Sequence, residues 1–347
     1  MSLYDRVAEY PLWIEDATCS RQSRQTAGGF ERHTTTVTLR GDDDVGRGED
    51  VSYEPADHDT HAETGPLSLE GEYTLREFAT TLTERDLFCA QEPVASASRT
   101  YRRWAYESAG LDLALRQAGE SLATALDGRY DPLRFVVSTR LPDGDPQRVI
   151  ALQERYPHTE FKLDPTQAWD DQTIRALAAT DAVRILDLKG QYDDVDIGQP
   201  ADEWLYGQLL DAFPDAIIED PAVTPPVEDL VRSVRDRLAW DAPISGVEAI
   251  EAMPVDPAYL NVKPSRLGSL ETLLETIEYC RENGLRCYGG GQYELDVGRR
   301  HAQAFASIFY PDAPNDLAPM AYNDPGVPDD APTSPLPAPD ASPGLPR

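Results

Sequence analysis

The chain has 347 residues, 62 of them acidic against 31 basic, for a net charge of −31. Phosphate binding needs a basic surface, so this balance argues against nucleic acid and anionic membrane as partners. No apolar run approaches the roughly 20 residues that span a bilayer, and Met1-Ser2-Leu3-Tyr4-Asp5 lacks the basic and apolar regions of a signal peptide; a cytoplasmic protein is expected.

The acids are dispersed rather than blocked. That favours adaptation to a salty cytoplasm, as in the acidic proteome of a halophilic cell, over an acidic binding surface. Cys19, Cys89, Cys280 and Cys287 lack metal-type spacing and read as reduced, buried thiols. The five histidines are scattered, and none ends an apolar run.

Polar residues 19–29 read as a loop. Residues 34–40 alternate and, with the turn at 41–44 and residues 45–51, predict an antiparallel hairpin. The Asp42-Asp43-Asp44 run lacks the alternating ligands and distal Glu of a calcium loop and reads as a solvated turn. From about 74 to 119 the spacing is helical, most clearly over 104–116. Strands are then predicted at 133–138, 160–164, 183–189, 216–220, 238–241, 259–263 and 286–291. Helices are predicted at 147–155, 171–178, 201–213, 227–236 and 269–283. The intervals from Asp164 to Asp187, Glu219, Asp241 and Lys263 are 23, 32, 22 and 22 residues, each enough for a strand, a loop and a helix. This alternation predicts a parallel barrel or a long open sheet. No glycine-rich phosphate loop follows the first strand, which weakens the nucleotide-binding open sheet. Three regions are expected: α+β over 1–130, βα barrel over 131–321, and a disordered, acidic, Pro-rich tail over 322–347.

The strongest functional signal is lysine. The chain has only three, Lys162, Lys189 and Lys263, each ending a short apolar run, while every other basic residue is arginine. Arginine keeps its proton in proteins, whereas lysine can give one up. Asp187, Glu219 and Asp241 sit at three successive strand ends, which in a parallel barrel converge on one mouth. Three such carboxylates suit a hard cation, Mg²⁺. Lys189 is two residues from Asp187 and is expected on the same strand face, as Lys162 is with Asp164. A dication and neighbouring ammonium groups lower a lysine's pKa toward use as a base. The alternative is a mouth of solvated ion pairs, and the confinement of lysine to these strand ends favours chemistry.

These residues resemble the mandelate racemase and muconate cycloisomerase branch of the enolase superfamily. The likeness runs from about 30 to 320 and rests on ordered motifs. Val45-Gly46-Arg47-Gly48-Glu49 resembles the family's hairpin, and Ser108-Ala109-Gly110-Leu111-Asp112-Leu113-Ala114 its helix leading into the barrel. Ile217-Ile218-Glu219-Asp220-Pro221 looks like its fourth-strand metal ligand, and Asn261-Val262-Lys263-Pro264-Ser265-Arg266 its sixth-strand lysine segment. Gly289-Gly290-Gly291-Gln292-Tyr293-Glu294 resembles its seventh-strand end. The resemblance implies a modified TIM (β/α)7β-type barrel under an N-terminal α+β capping domain, with the loop at 19–29 helping to cover the substrate. It implies Mg²⁺ on Asp187, Glu219 and Asp241, and Lys263, Lys162 and Lys189 as catalytic candidates. The expected reaction is proton abstraction next to a small-molecule carboxylate to give an enediolate, followed by elimination, cycloisomerisation or epimerisation. An ammonia lyase and a non-catalytic ligand-binding paralogue are the competing readings; a homo-oligomer is compatible with both. The second strand departs from the family's Lys-x-Lys with Lys162-Leu163-Asp164, and the third carries Lys189 where Asn is usual. A second alignment makes Asp164, not Asp187, the first ligand.

Overall fold

The computed structural model describes residues 1–141, 143–192 and 198–346; Arg347, the end of the expected tail, lies outside the described residues. In the N-terminal half, β1 (Pro11–Ile14) precedes an antiparallel sheet of β2 (Asp16–Gln25), β3 (Glu31–Gly41) and β4 (Asp44–Asp50). Then come α1 (Pro55–Thr64), β5 (Gly71–Thr74), which pairs with β1, α2 (Leu75–Glu84) and α3 (Ala97–Gln117). The Thr74 and Glu77 side chains cap each other's backbone and start α2. Helix α3 lies directly on β4 because Gly46 and Gly48 have no side chains; a Cβ on Gly48 would sit 1.9 Å from the carbonyl oxygen of Ala105. The stretch expected as a loop at 19–29 is strand as far as Gln25, and only residues 26–29 turn. Its side chains are nearly all polar and at most half-buried, so no apolar alternation marks the strand.

All seven predicted barrel strands form: after α4 (Leu122–Ala125) come β6 (Val137–Arg140), β7 (Phe161–Asp164), β8 (Val183–Asp187), β9 (Ile217–Glu219), β10 (Leu238–Trp240), β11 (Tyr259–Val262) and β12 (Arg286–Gly289). They make one parallel sheet in chain order. The helices between them are α5 (Gln147–Arg155), α6 (Asp171–Ala178), α7 (Glu203–Ala212), α8 (Glu228–Ser233), α9 (Val247–Glu251), α10 (Pro264–Leu267) and α11 (Leu270–Glu282); α12 (Val297–Phe309) follows. Beyond α12, Asn315 and Asp316 bridge to both edges of the sheet. Val136 N donates to Asn315 O and Asp316 N to Gly289 O, each at 2.8 Å.

The large apolar core lies between the strands and the helices. A second, small cluster of Val136, Ile185, Ile217, Ala239 and Tyr288 lies apart from it. The side-chain period of a strand is two residues, so Asp187, Glu219 and Asp241 share the face of Ile185, Ile217 and Ala239 one step further along. The charged layer therefore stands on a dry apolar one.

The tail, expected to be disordered, packs against the body. Tyr322 is buried beside Phe135 and Tyr156, Leu336 bridges to Leu133, and Leu345 is buried, its N donating to Asp112 Oδ1 at 2.7 Å. Composition misleads here because four widely spaced side chains, Tyr322, Ala331, Leu336 and Leu345, do the anchoring.

Candidate active site

Asp187 and Glu219 are register partners on β8 and β9, and Asp241 follows β10. All three are fully buried, and their carboxylate oxygens lie within 4.8 Å of one another. Asp164 is outside this cluster; it pairs with Arg140 at 3.1 Å. Strand order favoured Asp187 over the alternative Asp164, and it is Asp187 that lies beside Glu219 and Asp241.

The three lysines ring the cluster. Lys162 Nζ donates to Glu219 Oε1 at 2.6 Å and lies 3.1 Å from Asp187 and 3.4 Å from Asp316. Lys263 Nζ donates to Asp241 Oδ2 at 2.6 Å. Lys189 Nζ hydrogen-bonds Asp187 Oδ2 and stands 3.9 Å from Asp164. It arrives there by a route that strand alternation does not describe. β8 ends at Asp187, and Lys189 takes a left-handed φ of 52° that brings its side chain back.

Burial and the Asp187 charge push the Glu219 carboxyl up to about 8, against the pull of Lys162. Burial and Asp241 push Asp220 up to about 7. Asp187 and Asp241 are desolvated as well, but Lys189 and Lys162 around the first, and Arg266 and Lys263 around the second, hold them below the usual carboxylate range. Burial opposes the charge on Lys162, yet Glu219 and Asp187 raise its pKa well above the ordinary value. These cations hold two of the three carboxylates down but not Glu219, and Asp241 Oδ1 accepts no hydrogen bond, with Arg266 Nε 3.4 Å away.

Several participants carried no sequence signal. Asp220 accepts the backbone N–H groups of Asp241 and Ala242, both at 2.8 Å, and so aims the third carboxylate. Tyr288 Oη and Asn261 Nδ2 donate to Glu219 at 2.6 and 3.1 Å. Asp316, raised by burial, lies on a two-residue bridge too short to show a period. Its Asp-Pro-rich surroundings read as loop. Strand alternation from Lys263 would have found Asn261. Above the mouth, Arg32 Nη2 donates to Gln292 O at 3.0 Å, Tyr53 Oη to Gln292 Oε1 at 2.8 Å, and Phe30 meets Tyr293 edge-on at 5.4 Å. These contacts fix the N-terminal domain to the end of β12.

No helix among the described residues is long and apolar enough to cross a membrane. Two family profiles match the chain: "Domain of unknown function (DUF8230) N-terminal domain" over residues 5–125 and "Domain of unknown function (DUF8230) C-terminal domain" over residues 129–324. An o-succinylbenzoate synthase of Bacillus subtilis (strain 168) is 27% identical over 222 residues, 61% of this chain and 57% of that protein. An N-succinylamino acid racemase of Amycolatopsis sp is 27% identical over 254 residues, covering 68% and 67%. The first match thus spans little over half of the relative's length. In fold, the chain is similar to the muconate lactonizing enzyme from Pseudomonas putida, with a TM-score of 0.68, 19% identity and 96% of each chain covered. A probable mandelate racemase from Alicyclobacillus acidocaldarius gives 0.64 at 23% identity, covering 90% and 87%. The chain belongs to the DUF8230 family, and it is similar, in sequence to these synthases and racemases and in fold to these lactonizing and racemase structures, to the mandelate racemase and muconate cycloisomerase branch of the enolase superfamily.

Proposed function

We propose that this chain is a Mg²⁺-dependent enzyme that removes the proton next to the carboxylate of a small substrate, after which elimination, cycloisomerisation or epimerisation completes the reaction. The carrying observation is the buried triad of Asp187, Glu219 and Asp241 with its oxygens inside 4.8 Å. The residues fit a hard cation: every donor is a carboxylate oxygen, and Asp241 Oδ1 accepts no hydrogen bond. A bound Mg²⁺ would hold the substrate carboxylate and stabilise the charge left as the C–H bond breaks.

Lys263 is the proposed base. Lys189 follows β8, three strands away, and is less buried than Lys162, which makes it the better candidate to return a proton from the other side. Lys162, held by Glu219 and Asp187, steadies the triad in this reading. We read the sheet as a (β/α)7β barrel closed by residues 315–316, with residues 1–130 as its cap and the turn at 26–30 as cover for the mouth. The acid excess supports a halophilic, cytoplasmic setting. A binding-only paralogue would have no need of all three carboxylates, and this chain keeps them.

The test is solvent deuterium uptake by acid sugars, dipeptides and free or N-acylated amino acids with Mg²⁺ present. At least one class should exchange its α-hydrogen, and both chelator and Asp241→Asn should stop it. Chelation should also lower the Tm, because a ligand that binds only the native state stabilises it. A Tm indifferent to chelator at matched ionic strength, together with no exchange in any class, would overturn the reading.

A further inference from the structure

We propose that a groove outside the barrel mouth, where β4, α12 and the C-terminal segment meet, binds a small organic anion with an apolar body. The groove encloses about 540 Å³ and is lined by Arg47, Arg299 and Arg300 together with Val297, Met320 and Leu336. That volume falls within the range of roughly 300–1,000 Å³ common for small-molecule sites.

The argument starts from charge. With twice as many acids as bases, most arginines of this chain end on a carboxylate or a carbonyl oxygen. Arg47 does not. It is half-buried, yet its guanidinium has no hydrogen bond or ion pair among the described residues, and no other arginine there combines those two properties. Arg300, on the same groove, is exposed and likewise without a partner among the described residues. Neither guanidinium has a buried unpaired nitrogen, so both stay open to solvent, and two arginines facing one cavity suit an anion that both can reach. The amides at the start of α12 are not the attraction, because Glu49 already accepts from Leu295 N, Asp296 N and Gly298 N. Asp296, the one acid on the lining, is engaged by Thr36 Oγ1 at 2.6 Å. Val297, Met320 and Leu336 supply the apolar surface beside the arginines. A carboxylate head on Arg47 and Arg300 with a short hydrocarbon body on these side chains matches both halves of the lining. The groove borders the mouth without belonging to it. Arg299, paired with Glu294 at 3.0 Å, lines both the groove and the small cavity containing Tyr293 and Asp316.

Octanoate, octanol and inorganic phosphate serve as probes, titrated by calorimetry at fixed ionic strength with Mg²⁺ present. Octanoate should bind saturably at one site per chain, at least about tenfold more tightly than either octanol or phosphate. Arg47→Gln and Arg300→Gln should each weaken it about tenfold, with circular dichroism unchanged; Arg300 is exposed, so its variant keeps the test valid should Arg47→Gln misfold. Octanoate is itself a carboxylate and could visit the mouth, so the titration is repeated on Asp241→Asn, where binding should persist. Binding lost in Asp241→Asn but kept in both arginine variants would overturn the proposal. Phosphate binding as tightly as octanoate would overturn its apolar half, and no saturable octanoate binding would overturn it entirely.

Discussion

Inside the N-terminal domain, Asp50 is enclosed by donors. Arg102 Nε reaches Oδ2 at 2.8 Å, and Ser52 supplies its N and Oγ to Oδ1 at 3.0 and 2.6 Å. The remaining Arg102 nitrogens end on the carbonyl oxygens of Leu87 and Asp57. At the C-terminal ends of the parallel strands, a buried set of carboxylates is shared among three lysines and Arg266, and Asp164 Oδ1 and Asp241 Oδ1 accept no hydrogen bond. Burial opposes the charge on Asp50, but His61 and Arg102 outweigh it and hold the carboxyl far below its usual range; at the mouth, Glu219 is pushed up instead. One cluster spends a planar fork on fixed partners, and the other shares its cations among several carboxylates without holding Glu219 down. A buried ionic cluster that only supports a fold can be satisfied within the chain. One that leaves a buried carboxyl raised is arranged for something to arrive.

Exchanging the two bases breaks the comparison from both sides. Lys263→Arg keeps the charge beside Asp241 but removes a proton that can be given up. If Lys263 is the base, turnover falls by roughly 10²–10⁴ while the Tm stays close to wild type. Full activity in this variant, and in Lys162→Arg and Lys189→Arg, would sink the lysine argument. The reverse exchange, Arg102→Lys, should spare chemistry and cost stability. One ammonium cannot serve Asp50, Leu87 O and Asp57 O together, and losing two bonds of this kind costs about 3–4 kcal/mol. Thermal unfolding measures it, and an unchanged Tm would mean that the fork is not needed.

How much of this was legible depends on what each feature requires. The seven strands show themselves because each is a short apolar run bounded by helix-length intervals. The three lysines show because the rest of the chain avoids lysine. Asp316 and Asp220 do not show: one lies on a two-residue bridge, and the other acts only through the backbone of Asp241. Lys189 was placed correctly for a mistaken reason, since its backbone leaves the strand and turns left-handed before the side chain returns. Strand β2 was misjudged because its side chains are nearly all polar although its partner β3 follows at once, and the docked tail because its few anchors pack on residues far away in sequence.

A third buried acid tests the comparison through pH. Glu49 joins the two halves of the molecule through the amides before and within α12, and burial pushes its carboxyl up to about 7, against the opposing hydrogen bonds from Thr34 and those amides. Below about pH 4.5 the folded and unfolded states both hold the proton, and nothing is lost. Between about pH 4.5 and 7 the unfolded chain has released a proton that the folded chain still holds, so stability falls by about 3 kcal/mol across that window and levels off above it. Glu49→Gln should flatten this part of the profile, measured by denaturant unfolding with Mg²⁺ saturating so that the triad does not contribute. Parallel profiles for the two proteins would show that Glu49 stays ionised.

The smallest effect is expected at the tail, which is closed in the manner of the Arg102 cluster. Arg116 pairs with Asp112 at 2.8 Å and donates to Pro343 O and Leu345 O, both at 2.9 Å, while Asp112 Oδ1 accepts from Leu345 N. Deleting residues 331–347 removes the buried Leu345 and the Leu336 bridge to Leu133. Each buried leucine contributes roughly 1.5–3 kcal/mol of transfer free energy. Ordering the backbone of the tail opposes that gain. The net loss on truncation should be about 1–2 kcal/mol, or a few degrees in Tm for a chain of this size. Leu345→Ser in the full-length chain should reproduce part of that loss, because it exposes the anchor and keeps the backbone contacts. If Arg116 and Asp112 merely saturate each other, truncation will leave the Tm unchanged. If they are completed by the tail, Arg116→Lys should lower the Tm of the full-length chain and have little effect on the truncated one.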